Sequence, residues 1–524
     1  MTDGATTAAF LIVVGGASLL AVTAPRLHRN DDLPSLERWA LADRGLGPVW
    51  TWFLLGGTIF TAYTFTAVPG QVYGRGASAF FALPYTVIVC PLAFVLLPRL
   101  WAVARRHGYV TVADFVRGRY GSPALALVVA LTGILATMPY LALQVLGIRA
   151  VLAAAGLQAR GAAGDVAMVA LFAGLAIATY RHGLRAPTVI SALKAPAVFV
   201  SAAVAVGFVL ARFGGPGPMF EAADRRLAGS GPGDASLVLS PHQQGGFATL
   251  ALGSALALLL YPHVLTAGFA AAGPHTLRRV CVVLPAWTAV LAMFGVLGIA
   301  ALAMAVDAPP GAAEAAVPLL VDRLLPAFPA GLVFGAIIVG ALVPAAVMSI
   351  AAATSFTRNV YVAYFQPTAT PKRQTRVAQA VSLTAKVGAV AFVFGLRDQA
   401  AINLQLLGGV WILQIFPAVV IGLFTRRLHH RALLVGWAVG MLAGTVAVVR
   451  EGFVSLVRIE VGGHGGQVYA GLGALALNLA VTLALTGVYD RVGAARGADT
   501  TALPARLALR SALWRAPEKG ANGS

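Results

Sequence analysis

Charge is scarce in this chain. Of its 524 residues 11% are Asp, Glu, Lys or Arg, while 59% are hydrophobic and the mean hydropathy is +0.82. That composition excludes an ordinary soluble domain. Cysteine is scarcer still. Cys90 and Cys281 lie in separate apolar runs and supply neither a disulfide framework nor a metal spacing. Acids number 19 against 38 Lys and Arg, and none sits deep in an apolar run; Asp165 and Asp307 stand at the edges. A buried carboxylate proton relay therefore has no candidate. Nine histidines, mostly between apolar runs, argue against a redox membrane enzyme built on His pairs. No GxxxxGK[ST] stretch exists, which argues against an ATP-driven pump. The polar segments are too short for an attached signalling domain. The expectation is a membrane protein that makes and breaks no covalent bond, hence not an enzyme, with the lipid bilayer as its surroundings.

What is present in quantity is apolar sequence of spanning length, roughly 20 residues per span. Thirteen runs qualify, near 8–25, 49–74, 78–98, 123–155, 164–181, 188–212, 246–270, 280–306, 331–362, 376–396, 402–425, 431–449 and 467–489. The first has no basic region before it and reads as a retained helix rather than a cleaved signal. The net charge of +19 does not imply nucleic acid. With the N-terminus outside, 26 Lys and Arg fall in inside loops and 9 in outside loops. The other three, Arg149, Lys194 and Lys386, fall within runs. The positive-inside rule then gives an N-out, C-in, multi-pass plasma-membrane protein with an odd number of spans. The membrane domain is expected over 1–490 and a basic cytoplasmic tail over 491–524. Thr501 to Trp514 reads either as an amphipathic helix on the inner leaflet or as a solvated tail. The segment from Phe213 to Gln244, rich in Gly, Pro, Ser and Asp, reads as a mobile outer loop, and 105–122 as a short amphipathic segment at the inner interface.

Two runs make poor uninterrupted helices. WTWFLLGGTIFTAYTFTAVPGQVY (50–73) carries Gly56-Gly57, a Thr/Tyr cluster and Pro69-Gly70; FATLALGSALALLLYPHVLTAGF (247–269) carries Gly253, Tyr261-Pro262-His263 and Gly268. Gly and Pro weaken a helix, and broken backbone in lipid is tolerated where it faces protein or a polar cavity. The alternative for either run alone is a kinked structural helix. Together they open two sets of five runs, 49–212 and 246–425. Five is odd, so the units must have opposite orientation, which is the signature of an inverted-repeat transporter.

Several stretches carry a family resemblance: GGTIFTAYTFTAVPGQVYGRG (56–76), RHGYVTVADFVRGRYGS (106–122), HGLRAP (182–187) and SIAAATSFTRNVYVAYF (349–365). In order and spacing, over roughly 8–490, they resemble the sodium/solute symporter family. GALVPAAVMSIAAATSFTRN and ALALLLYPHV are most similar to its bacterial monocarboxylate permease branch. The resemblance implies an all-α fold of about 13 transmembrane helices with the LeuT-type 5+5 inverted repeat. It also implies a secondary-active importer of a small monocarboxylate (pyruvate-, lactate- or acetate-like), ion-coupled, working by alternating access. The alternative is a sodium-coupled symporter for another small organic solute such as an amino acid. A channel of the same fold would differ in showing no saturation or accumulation. A small accessory membrane subunit is left open, and no bound cofactor is expected beyond sodium or a proton as coupling ion.

An anionic substrate suits broken helices, whose half-helix N-termini offer N–H groups and a positive dipole end. Candidate substrate-binding residues are Thr61, Tyr63 and Thr64 at the first break, Tyr261 and His263 at the second, and Tyr140 and Gln144, which share one helix face at i, i+4. Packing and helix–helix hydrogen bonding are the alternatives for each. In the family, sodium is held by carbonyls of the first broken helix, which correspond to Gly57 and Phe60, and by two adjacent hydroxyls. Those hydroxyl positions fall on Val343 and Pro344, which have no side-chain oxygen, so sodium coupling through that site is in doubt and no metal ligand set is assigned. Lys194 and Lys386 are the candidate intramembrane charges, functional by default. An ammonium at Lys194 could stand in for the ion. Snorkelling to the inner surface is its alternative.

Overall fold

The structure is a computed structural model and describes residues 4–23, 35–156, 162–228, 235–395, 401–461 and 464–501. It is built almost wholly of helices. α1 (Gly4–Thr23) and the short α2 (Leu36–Leu41) precede the first broken pair, α3 (Pro48–Ile59) and α4 (Val68–Arg75), joined through a π-helical turn at Tyr63–Ala67. Then come α5 (Ala82–His107), α6 (Val112–Tyr120), α7 (Pro123–Ala154), α8 (Ala162–His182) and α9 (Arg185–Phe213). α10 (Pro216–Ala228) leads to the second broken pair, α11 (Pro241–Leu258) and α12 (Pro262–Phe269). α13 (Pro274–Val283), α14 (Ala286–Ala303), α15 (Ala316–Leu324), α16 (Ala327–Phe356) and α17 (Pro371–Gly395) follow. α18 (Ala401–Ile412) and α19 (Gly422–Phe424) lie on a third bent span, in which Gln405–Ile415 and Pro417–Phe424 meet at 41°. α20 (His430–Arg450), a hairpin of β1 (Leu456–Val461) and β2 (His464–Tyr469), and α21 (Ala470–Arg491) complete it.

Among the described residues nine helices are long and apolar enough to span a bilayer, and twelve spans result if each bent pair counts once. α8 supplies helical backbone over the remaining apolar run, so each of the thirteen runs maps to helix. Prolines mark many starts. Pro48, Pro123, Pro241, Pro262 and Pro274 each stand in the first turn, where the missing N–H costs nothing. The central element is α16. Its spanning window is entirely buried, against 28% for α17, as expected of a helix that is apolar on all sides. α1, α7, α9 and α17 pack around it.

Both breaks fall at the residues expected, around Thr61 and at Tyr261-Pro262, while the Gly56-Gly57 pair lies inside α3. α3 and α4 meet at 52°, and the turn lies at Phe60–Ala62, between the Gly56-Gly57 pair and Pro69. The glycines instead admit neighbours. A Cβ on Gly56 would collide with the Trp287 indole, and one on Gly57 would sit 3.0 Å from Ser191 Oγ. A Cβ on Gly70 would strike the backbone at Ala313. α11 and α12 meet at 48° at Leu260–Tyr261, with Pro262 opening the second half.

Of the segment 105–122, the first three residues end α5 and Val112–Tyr120 forms α6, closed at its start by a reciprocal Thr111–Asp114 capping box. Asp114 accepts from Asn359 Nδ2 (2.8 Å), and Thr111 donates to Asn359 Oδ1 (2.7 Å), tying α6 to the π-helical turn Thr357–Phe365 that continues α16. The expected outer loop is part helix. α10 turns three apolar residues, Met219, Ala223 and Leu227, inward. The start of the tail is ordered against α6. Asp499 pairs with Arg119 (2.9 Å) and Arg426 (3.1 Å), and Thr500 N donates to Gly118 O (2.8 Å). Of the expected amphipathic stretch 501–514, only Thr501 is among the described residues.

Candidate functional site

The two breaks face each other across α7. Thr61 Oγ1 lies 3.4 Å from Tyr140 Oη. Gln144, one turn on, accepts from Ala62 N (3.0 Å) and donates to Tyr140 O (3.0 Å). From the second break, the Tyr261 and His263 rings lie 5.4 and 5.3 Å from the Tyr140 ring, and 5.3 Å from each other. Tyr261 Oη reaches Gln405 O (3.3 Å). The structure therefore brings together Thr61, Tyr140, Gln144, Tyr261 and His263, all of them fully buried. Tyr63 turns aside and packs 6.0 Å from the Tyr85 ring. Thr64 is buried one residue further along.

One group in this cluster is left over. Both ring nitrogens of His263 are buried without a hydrogen-bond partner. A neutral imidazole carries one donor and one acceptor, and a buried polar atom without a partner is costly. The first break offers less than expected. Its amides are already used by the protein: Ala62 N by Gln144, Tyr63 N by Thr61 Oγ1 (3.1 Å), Thr64 N by Thr61 O (2.8 Å). Unpartnered donors remain on both sides, the Tyr63 hydroxyl at the first break and the His263 imidazole on α12, and the positive end of that half-helix lies beside the latter.

A second cluster lies on the opposite side of the first break. Lys194 is fully buried, ten residues into α9. Its Nζ donates to Gly57 O (2.6 Å), Phe60 O (2.7 Å) and Gly340 O (2.8 Å). The Phe65 ring stands 5.5 Å from the same nitrogen. The side chain does not snorkel. Gly57 and Phe60 have carbonyls to spare because α3 ends there, leaving its last C=O groups without helical partners. Gly340 was not read from the sequence. A backbone carbonyl has no side-chain signature, and the only hint was its place one turn before Val343. Lys386 is elsewhere. Its Nζ donates to Ser382 Oγ (2.9 Å), which donates to Ser349 Oγ (3.1 Å) between α17 and α16.

The sequence comparisons give this arrangement its context. The model of the sodium:solute symporter family matches residues 39–440. The chain belongs to the sodium:solute symporter family. Among its relatives, the "Monocarboxylate transport permease protein" of Rhizobium johnstonii is 42% identical over 486 residues, covering 93% of this chain and 97% of that one. The uncharacterised symporter YodF of Bacillus subtilis is 30% identical over 463 residues, covering 87% and 88%. Among solved structures, a Na+-coupled sialic acid symporter superposes with a TM-score of 0.74 at 14% identity, over 93% and 98% of the two chains. A nucleobase-cation-symport-1 family transporter gives 0.51 at 15% identity, over 88% and 96%. The fold is thus the LeuT-type membrane fold, and the protein is a multi-pass membrane transporter rather than an enzyme.

The family implies sodium as coupling ion, so the fit of this chain to sodium can be tested. Sodium is a hard cation that takes oxygen ligands. The backbone oxygens at the first break, Gly57 O and Phe60 O, and Gly340 O on α16, are engaged by the Lys194 ammonium. Val343 borders Gly57, its Cγ1 3.6 Å from the Cβ position there, and offers no oxygen. The residues present do not fit a sodium ion at this place.

Proposed function

We propose that this symporter imports a small monocarboxylate by alternating access between the two broken helices. The observation that carries the reading is the unpartnered His263 imidazole. It stands in an aromatic enclosure with Tyr140, Tyr261 and the Thr61 hydroxyl, beside the N-terminus of α12. A carboxylate would accept from the imidazole and hydroxyl donors, and the half-helix end favours negative charge. The helices lining the site, α3, α4, α7, α11, α12 and α16, carry no Asp or Glu to receive a substrate ammonium. The name of the Rhizobium relative, 42% identical along nearly its whole length, points to the same solute class.

In this reading the substrate is held by Thr61, Tyr140, Gln144, Tyr261 and His263, with Tyr63 and Thr64 entering from the first break as it moves. Residues 49–212 and 246–425 act as the two repeats, and the arginine-rich face with α6 and the tail is cytosolic. Coupling involves the Gly57 and Phe60 carbonyls with Lys194, and Lys386 as a second buried ammonium. The test is counterflow of labelled pyruvate in proteoliposomes, with unlabelled lactate, acetate, alanine and glycine as competitors. Inhibition by the monocarboxylates and not by the amino acids is expected. Inhibition by the amino acids alone would replace the monocarboxylate with an amino acid.

A further inference from the structure

We infer that the Lys194 ammonium is the resident coupling cation of this transporter, standing where a sodium ion would bind in the family. The ion moved with substrate is then the proton that Lys194 takes up and gives up. The inference rests on the transport reading above for its coupling half and on geometry alone for the exclusion of sodium.

The donor count carries the argument. An ammonium has three N–H donors and no acceptor. Lys194 spends them on three carbonyls at 2.6, 2.7 and 2.8 Å. Two of those carbonyls belong to the first broken helix and the third to α16, so one nitrogen fastens the moving break to the central helix. A sodium ion would need the same oxygens and would face a positive charge among them. Loss of a proton leaves an amine with two N–H donors and a lone pair, and the lone pair repels whichever carbonyl it meets. The protonated side chain therefore holds three contacts, and the neutral one holds at most two. Protonation state and the docking of α3 on α16 become one equilibrium, which is the requirement for coupling.

No acid touches this nitrogen among the described residues. Lys194 makes no ion pair among the described residues. The helices packed on α9 at this level, α1, α3, α14 and α16, contain no Asp, Glu, Lys, Arg or His. α8 carries Asp165 near its start and Arg181 and His182 in its last turn; α10 carries Glu221, Asp224, Arg225 and Arg226; α15 carries Asp322 and Arg323. On α9 itself Arg185 and Arg212 stand at the two ends, and Tyr63 is the one phenol in the turn between the broken halves. The groups facing Nζ are the three carbonyls and the Phe65 ring. In the cycle, the ammonium releases one proton to water on the cytosolic side as substrate leaves. The amine takes one from water on the outer side before the next substrate binds. No bond other than N–H forms or breaks.

Two measurements test this. Equilibrium binding of radiolabelled sodium to the purified full chain needs no substrate. No saturable binding is expected, and saturable binding to the wild type would overturn the inference even if the solute assignment stood. Labelled pyruvate uptake into proteoliposomes is then compared for wild type, Lys194→Met and Lys194→Gln. Both variants are expected to lose pH-gradient-driven accumulation, while counterflow continues at a reduced rate and no longer responds to pH. Wild-type accumulation in either variant overturns the inference. So does loss of counterflow in a variant that remains monodisperse, because Lys194 would then be a structural cation only. If neither variant folds, the sodium measurement on the wild type decides. If the wild type moves no pyruvate, the solute assignment fails and the sodium result still stands.

Discussion

Replacing Gln144 with leucine removes one acceptor and little volume. In the structure Gln144 Oε1 takes the Ala62 N–H at 3.0 Å, in the middle of the first break, where no helical carbonyl is available to it. Its other bond, to Tyr140 O, is dispensable because that oxygen sits within α7 and keeps a backbone partner. The cost of Gln144→Leu is therefore that of one buried amide left without a partner, about 1–3 kcal/mol. Where the break must keep this shape to hold substrate, that cost becomes a roughly 5- to 150-fold loss of affinity, at about 1.4 kcal/mol per factor of ten. The assay is thermal unfolding of the purified protein alongside half-saturation of pyruvate counterflow. Gln144→Glu is the control, since a carboxyl oxygen can still accept from Ala62 N, and it should melt closer to wild type than Gln144→Leu. Wild-type melting and half-saturation in Gln144→Leu would refute the claim that this hydrogen bond holds the break open to substrate.

Other outcomes follow from single contacts. His263→Leu removes no hydrogen bond present in the structure, so it should melt like wild type while half-saturation for a monocarboxylate rises; unchanged half-saturation would remove His263 from the site. Gly56→Ala drives a methyl into the Trp287 indole, which stacks on Phe60 at 5.6 Å, and should destabilise by about 1–3 kcal/mol by overpacking, read as a lower unfolding temperature. Asn359→Ala removes its bonds to Thr111 and Asp114, leaving the Arg358–Asp114 pair (3.7 Å) there, and should cost a similar ~1–3 kcal/mol, with faster proteolysis around 105–122. Asp499→Asn should loosen the tail from α6, exposing the segment after Val492 to protease. Burial alone would raise the Asp499 pKa, but the Thr501 hydroxyl and amide and the Arg119 and Arg426 guanidinium groups outweigh it and hold the carboxyl below the usual aspartate range. A depressed carboxylate keeps its contact above its unfolded pKa and loses it as pH falls through the folded one. Tail protection should therefore persist through ordinary aspartate titration and fail only in stronger acid.

The spans were legible because hydrophobic length is written residue by residue, and each of the thirteen runs became helix. The two broken helices were legible from their Gly, Pro and Tyr-Pro-His punctuation. The reason for the glycines was not. Gly56 and Gly57 sit inside a regular helix and serve close approach by Trp287 and Ser191, contacts made by residues far along the chain. Lys194 was visible as a charge where charge is expensive, and Gly57 and Phe60 only as the sodium-holding carbonyls that the family resemblance implied. Gly340 was invisible, since a carbonyl looks the same at every position. The hairpin at Leu456–Tyr469 and the helix at Pro216–Ala228 were missed because glycine-rich and proline-rich flanks mask short elements stabilised by packing. In the cluster between the two breaks, Tyr140 and Gln144 stood out as polar residues in an apolar run, whereas Tyr85 and Gln405 become relevant only once the helices are assembled.

The most direct measurement is accumulation of labelled pyruvate in proteoliposomes against its own gradient, driven either by an inward pH gradient in sodium-free buffer or by an inward sodium gradient at equal pH. Accumulation is expected under the pH gradient, abolished by a protonophore, and none under sodium alone. Accumulation that requires sodium, with no response to the pH gradient, would contradict it.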